Sequence, residues 1–340
     1  MTTADRKKAI VRRLHRKDVR IDVHTHVGTD PVNFQRGDYP YAQSAEDLRV
    51  RLDRWALDAA VCFPFLYTSY FALDAFVDGR MRKSRSGGCP VPYAIENERL
   101  CREIYEAYPA CAGRLLPFMF FDPSRDPQGQ VAVIDKLSKA FPLFGLKSAT
   151  SYIQSPITDL LKRGACLLDF ASRRNLPVTL HTSVFPGDPW ADVHAILDVV
   201  RARPDVRFGL AHTCRFDRRA LDKAAELPNC FVDFSAFHIH CKLVQQGSPA
   251  IAAKMQRFTA PYRRHAAAMA AFAEAYPDMM MWGTDSPYYC FMSRFTDDAG
   301  KLVTMKLQCD TDTEINEFRK LPPATQRRLG HDNIIRYLFG

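Results

Sequence analysis

The chain has 340 residues, of which 47% are hydrophobic, and a formal net charge of +9 at pH 7. That is enough apolar material for one large core or two ordinary domains. No apolar run reaches the length of a bilayer span and the opening MTTADRKKAIVRRLHRKDVR has no signal-peptide core, so a cytoplasmic protein with no membrane partner is expected.

The positive excess sits mainly in those first twenty residues and in MRKSR at 81–85, and no zinc-finger or RNP-like motif goes with it. This argues against nucleic acid as a partner and favours a small anionic substrate. Residues 1–19 read as a basic N-terminal extension, a surface helix or subunit contact, ahead of a single domain over 20–340. The chain has ten cysteines, many in apolar contexts such as AAVCFPF and NCFVDF, and no CxxC pair. They read as reduced core thiols rather than as a disulfide framework or a thiolate zinc site.

The first strand is predicted over residues 20–26. In IDVHTHVGTD, Ile21 and Val23 alternate with Asp22, His24 and His26, and Gly28 follows as a turn signal. Residues two apart on a strand face the same side, so both imidazoles point at one place, a common way to hold a transition metal. Further strands are predicted at 60–65, 115–121, 144–149, 177–181, 206–211, 230–235 and 279–284. Helical spacing fills 44–57, 97–108, 130–140, 158–174, 191–203, 218–226 and 263–276, several of these ending at a proline. The longest irregular stretch runs from 67 to 92, with a second excursion over 237–262; both suit binding loops or lids.

Eight strands alternating with helices imply parallel pairing, and the length fits a (β/α)8 TIM-type barrel. The alternative, a doubly wound open sheet, usually opens on a glycine-rich turn; here that turn is HVGTDP. The unusual polar residues gather at the C-terminal strand ends. His24 and His26 end strand one, Lys147 strand four, His181 strand five, His212 strand six and Asp285 strand eight. In a barrel these ends meet at one mouth, where active sites of this fold lie.

With HTH at 24–26, LHTS around His181, AHTC around His212 and GTDSP at 283–287, the chain resembles the amidohydrolase superfamily. Specifically, it is similar to the amidohydrolase-related branch that includes aminocarboxymuconate-semialdehyde decarboxylase and related hydrolases. The closing DNIIRYLFG extends the likeness to the last residue. The resemblance implies a distorted (β/α)8 barrel with one or two divalent metals at the mouth, commonly zinc, with manganese as an alternative. It implies His24, His26, His181 and Asp285 as metal ligands. His212 would bind a second metal or stand beside the metal-bound water. Lys147 would either bridge two metals as a carboxylated lysine or stay protonated and bind a substrate anion. Branch members are often dimers, so a homodimer is an expectation of the resemblance.

The chemistry expected is hydrolysis of an amide, lactone or ester, with Asp285 taking the proton from a metal-activated water and His212 polarising the carbonyl or carrying the proton onward. A non-oxidative decarboxylation is the alternative, and a binding protein stapled by metal is the alternative outside enzymology. Arg215 is expected to bind an anionic group with its planar fork. His238 is expected in the pocket from the SAFHIH pair, Tyr288 and Tyr289 as caps over the substrate, and Asp22 as the group that orients His24. Trp55 and FPFLYTSYF at 63–71 suit an apolar rim. His15, His194 and His331 read as structural.

Overall fold

The computed structural model describes residues 2–36, 42–85, 88–288, 291–296, 301–307 and 311–340. Eight parallel strands form one sheet in sequential order: β1 (Ile21–His26), β2 (Ala59–Phe63), β3 (Leu115–Phe120), β4 (Gly145–Ser148), β5 (Val178–Leu180), β6 (Phe208–Leu210), β7 (Cys230–Asp233) and β8 (Met280–Met281). Seven of the eight lie within the segments read from the sequence, and β2 starts one residue ahead of the segment at 60–65. The sheet closes because the chain beyond β8 runs along β1. Val23 donates to the Trp282 carbonyl at 3.2 Å, Asp285 to that of His24 at 2.8 Å, and His26 to that of Ser286 at 2.6 Å. The result is a TIM barrel.

Side-chain parity explains why the strands are apolar throughout. Val61 and Phe63 on β2 and Leu116, Phe118 and Phe120 on β3 share one buried cluster with Ile21, Val23 and Met281. Their alternates, Ala60, Cys62, Leu115 and Met119, join a second cluster with the surrounding helices. Alternation between interior and helix-facing sides is the period of two that strands impose. Burying each phenylalanine contributes about 1.5–3 kcal/mol.

The last helix (Asn333–Phe339) sends Tyr337 into the first of these clusters, where its hydroxyl lies 2.6 Å from Thr179 Oγ1. A Cβ at Gly209 would stand 2.9 Å from the Tyr337 ring, so glycine is required there. The basic opening segment forms a helix (Thr3–Leu14) that docks through the buried Leu14, whose carbonyl is bonded by His331 Nε2 at 3.0 Å.

Four features depart from the sequence reading. The stretch 97–108 ends as a π-helical turn (Glu103–Ala107), and 158–174 divides into a 3-10 turn (Ile157–Leu161) and a helix (Ala165–Arg173). The excursion after β7 opens with a helix (Phe237–Gln245), and an antiparallel hairpin (Phe291–Thr296 with Leu302–Leu307) follows the barrel. The eight described cysteines are all free thiols, as expected of core residues. No described helix is long and apolar enough to cross a membrane.

Candidate active site

A cavity of about 460 Å³ opens at the C-terminal ends of the strands, a size typical of small-molecule sites. It is lined by His24, His26, Lys147, His181, His212, Arg215, Tyr288 and Asp285, and also by Asp30, Tyr152 and His240.

The ligand atoms of His24, His26 and Asp285 all lie within 4.8 Å of one another. His24 Nε2 is 3.3 Å and His26 Nε2 3.5 Å from Asp285 Oδ1. The two rings sit 5.5 Å apart, as residues on one side of β1 should. The far nitrogen of each ring is occupied. His24 Nδ1 lies 2.9 Å from Asp233 Oδ2, and His26 Nδ1 lies 2.8 Å from the Pro64 carbonyl. A carboxylate and a carbonyl only accept, so each Nδ1 carries the proton and each Nε2 lone pair faces Asp285. Burial, with the Lys147 ammonium nearby, lowers the His24 pKa despite Asp233 and Asp285 and so favours the neutral ring, the form able to bind a metal. Two imidazole lone pairs and a carboxylate oxygen are a donor set suited to a divalent transition metal, and the residues fit such an ion. Close approach of the strands is part of the fit: a Cβ on Gly283 would lie 3.0 Å from His24 Cβ.

The remaining histidines are wired otherwise. His181 Nδ1 is 3.1 Å from His212 Nε2, and Arg215 Nη2 is 2.9 Å from His181 Nε2. His212 Nδ1 lies 2.9 Å from Ser235 Oγ, and that hydroxyl donates to Asp233. A chain of hydrogen bonds therefore runs from Arg215 through His181, His212 and Ser235 to Asp233, and from there to His24. Burial and then the Arg215 charge hold both His181 and His212 well below the usual imidazole range, so both rings are neutral. In this arrangement His181 stands outside the compact group formed by His24, His26 and Asp285.

Asp233, at the end of β7, has the largest structural role that sequence reasoning missed. Burial pushes its carboxyl up, but His24, Lys147 and Ser235 outweigh that and hold it down at about 2. It accepts the His212 backbone N–H at 3.0 Å as well as the His24 ring. The signal was available: an Asp closing an apolar strand, just as Asp285 follows another. Asp22 acts on a different part of His24 from the one expected. Its Oδ1 accepts the His24 backbone N–H at 3.0 Å and the Thr284 N–H at 3.0 Å, fixing the chain while Asp233 fixes the ring. Burial raises the Asp22 pKa to about 7.

Lys147 is fully buried, and its Nζ has no hydrogen-bond partner among the described residues; it lies 4.8 Å from the centre of the Phe63 ring. Burial lowers its pKa to about 8, against the pull of Asp233 and Asp285. Tyr288 packs edge-on to His26, with ring centres 5.1 Å apart, and its hydroxyl donates to Asp30 at 3.0 Å. Tyr289 lies outside the described residues. Trp55 is away from the cavity, its Nε1 donating to Asp312 at 2.8 Å.

The expectation for His238 is corrected. His240, not His238, lines the cavity, while the His238 ring packs on His265 with centres 3.9 Å apart. The pair sits on a helix instead of a strand, and two helical residues point about 200° apart rather than to one side. Arg215 reaches the cavity by an unusual backbone. His212, Thr213, Cys214, Arg215 and Phe216 all have positive φ, from 49° to 66°. Left-handed backbone costs roughly 1–2 kcal/mol per non-glycine residue, so the surrounding fold must hold this turn in place. Among its anchors are Arg215 Nε on the Thr182 carbonyl at 2.8 Å and Thr213 Oγ1 on that of Asp233 at 3.1 Å.

The family model described as Amidohydrolase matches residues 21–340. No curated protein matches the sequence. Among solved structures, a zinc-bound amidohydrolase from Burkholderia multivorans is 15% identical, with a TM-score of 0.58 over 95% of this chain and 100% of that one. IDCase from Metarhizium anisopliae, in apo form, is 15% identical, with a TM-score of 0.53 over 94% and 97%. Dihydroorotase from Campylobacter jejuni is 12% identical, with a TM-score of 0.51 over 94% and 82%. At these identities the likeness is one of fold.

Proposed function

Because the chain belongs to the amidohydrolase family, we propose that it is a metal-dependent hydrolase cleaving an amide, lactone or ester in a small anionic substrate. The observation that carries this reading is the convergence of His24 Nε2, His26 Nε2 and Asp285, with both opposite ring nitrogens occupied by acceptors. We propose these three as ligands of one divalent ion, with zinc favoured because a zinc-bound amidohydrolase shares the fold. His181 is the fourth proposed ligand, its Nε2 becoming available when Arg215 gives up its hydrogen bond.

Bound there, the ion would lower the pKa of a water towards neutrality and polarise the scissile carbonyl. Asp285 stands where it can accept the proton of the attacking water. His212, neutral and tied to Ser235, can take a proton at Nε2 once His181 releases that nitrogen and pass it to the leaving group. Asp233 holds both His24 and the His212 backbone in register. Lys147, as an ammonium, and Arg215 supply positive charge for the substrate's anionic group.

Elemental analysis of the purified chain tests this, followed by chelation. One metal per chain is expected, and removing it should abolish hydrolysis while the fold survives. Two metals, increasing with bicarbonate, would make Lys147 a carboxylated bridge. Unfolding on chelation would make the metal a staple, and release of carbon dioxide without water addition would make the enzyme a carboxy-lyase.

A further inference from the structure

The cavity lining is of two kinds. The metal-binding candidates and Arg215 are polar, while Val32, Leu66, Tyr67, Phe76, Ile239 and Leu243 form an apolar lining. Arg215 forms no ion pair with a carboxylate among the described residues. Its three acceptors are neutral: the Thr182 carbonyl at 2.8 Å, His240 Nε2 at 2.6 Å and His181 Nε2 at 2.9 Å. A guanidinium carries five N–H donors, so two remain, one on each terminal nitrogen. A half-buried cation with two spare donors and no carboxylate counter-ion among the described residues suits an anion that can accept from both.

His240 is what fixes this fork. A guanidinium only donates, so His240 Nε2 offers its lone pair, and His240 Nδ1 has no partner among the described residues. The ring is thus committed to Arg215. His240 shares its helix with Ile239 and Leu243, one of which is its neighbour and the other the next turn. One helix therefore sets both the guanidinium and part of the apolar lining, at a fixed spacing.

We propose that the substrate is an amphipathic anion, with a carboxylate forked by Arg215 and an alkyl or aryl body against the apolar lining, and that His240 is the positioning residue that aims Arg215. The proposal rests on the hydrolase reading for what happens next, but not for binding.

Calorimetric titration of the full chain, as purified and again after chelation, tests it with three probes: 4-phenylbutyrate, 4-phenylbutanol and succinate. Phenylbutyrate is expected to bind at least about tenfold more tightly than either of the others, before and after chelation. His240→Leu should weaken phenylbutyrate about tenfold and leave phenylbutanol unchanged, while His240→Gln, which keeps an acceptor, should recover much of the loss. Leu243→Asn should weaken phenylbutyrate and phenylbutanol alike. Succinate binding as tightly as phenylbutyrate, acid binding that vanishes on chelation, or a His240→Leu loss equal for acid and alcohol would each overturn the proposal. Binding is read without turnover. Expected binding in a chain that hydrolyses no ester, lactone or amide would remove the hydrolase reading and leave this one standing.

Discussion

Two groups of imidazoles share one cavity, and their hydrogen bonds separate them. His24 and His26 direct their Nδ1 protons outwards, to Asp233 and Pro64, and their Nε2 lone pairs inwards, to Asp285. His181, His212 and His240 use their nitrogens on one another, on Ser235 and on Arg215. The same residue type thus serves two ends. What each ring does is decided by the partner of its other nitrogen, not by its presence at a strand end. The first group is preset for a cation, and the second is arranged around one that the protein already carries.

The largest effect should come from the first group. Asp285→Asn keeps the shape but removes the proposed anionic ligand and proton acceptor, so kcat/KM should fall by about a thousandfold or more with little change in melting temperature. An Asn variant with near-normal turnover would move the proton to another group. His181→Ala tests where the boundary between the groups lies. Loss of the metal in elemental analysis is expected if Arg215 releases the ring to complete the ligand set; wild-type stoichiometry would place His181 wholly with the second group.

Asp233→Asn should do less, because it alters the support of a proposed ligand and not the ligand itself. An amide in place of the carboxylate no longer favours the Nδ1–H form of His24, and metal affinity should drop by about 10–100-fold, as measured by competition with a chromophoric chelator. Unchanged affinity would mean that the His24 ring is oriented by packing alone, chiefly against Phe63, 4.8 Å away.

These comparisons also show what could be read without coordinates. The eight strands were legible because β1 to β8 are short apolar runs bounded by turns, and the polar residues singled out at the ends of five of them stood out against those runs. His24 and His26 followed directly from strand parity. His238 failed for the same reason: parity was applied to a segment that is helical, where His240 takes the inward position. The left-handed turn from His212 to Phe216 left no sequence signal, since glycine would be the usual mark of such backbone and the segment HTCRF has none. Asp233 was visible but unassigned, because its importance lies in contacts with β1 and with the loop after β6, which only the closed barrel brings together.

Lys147 gives the smallest and cleanest test of the division, because it sits between the two groups and pairs with neither. Its amine titrates near 8 in the folded chain, lowered by burial from the ordinary 10.5. Between these values the unfolded chain binds a proton that the folded chain does not, so this residue makes stability rise as pH increases from about 8 to 10.5. Below 8 both states are protonated and the full cost of the buried ammonium is present. Lys147→Met removes that cost while filling similar volume, and should stabilise the metal-free protein by about 1–3 kcal/mol at pH 7. The gain over wild type should shrink as pH rises through this window; the difference between the two proteins isolates Lys147 from Lys7, whose pKa burial also lowers to about 8. Denaturant melts at pH 7, 8.5 and 10 measure it. A variant less stable than wild type at pH 7 would mean that the ammonium is held by Asp233 and Asp285 strongly enough to bind the two groups together, and the cavity would then be one electrostatic unit instead of two.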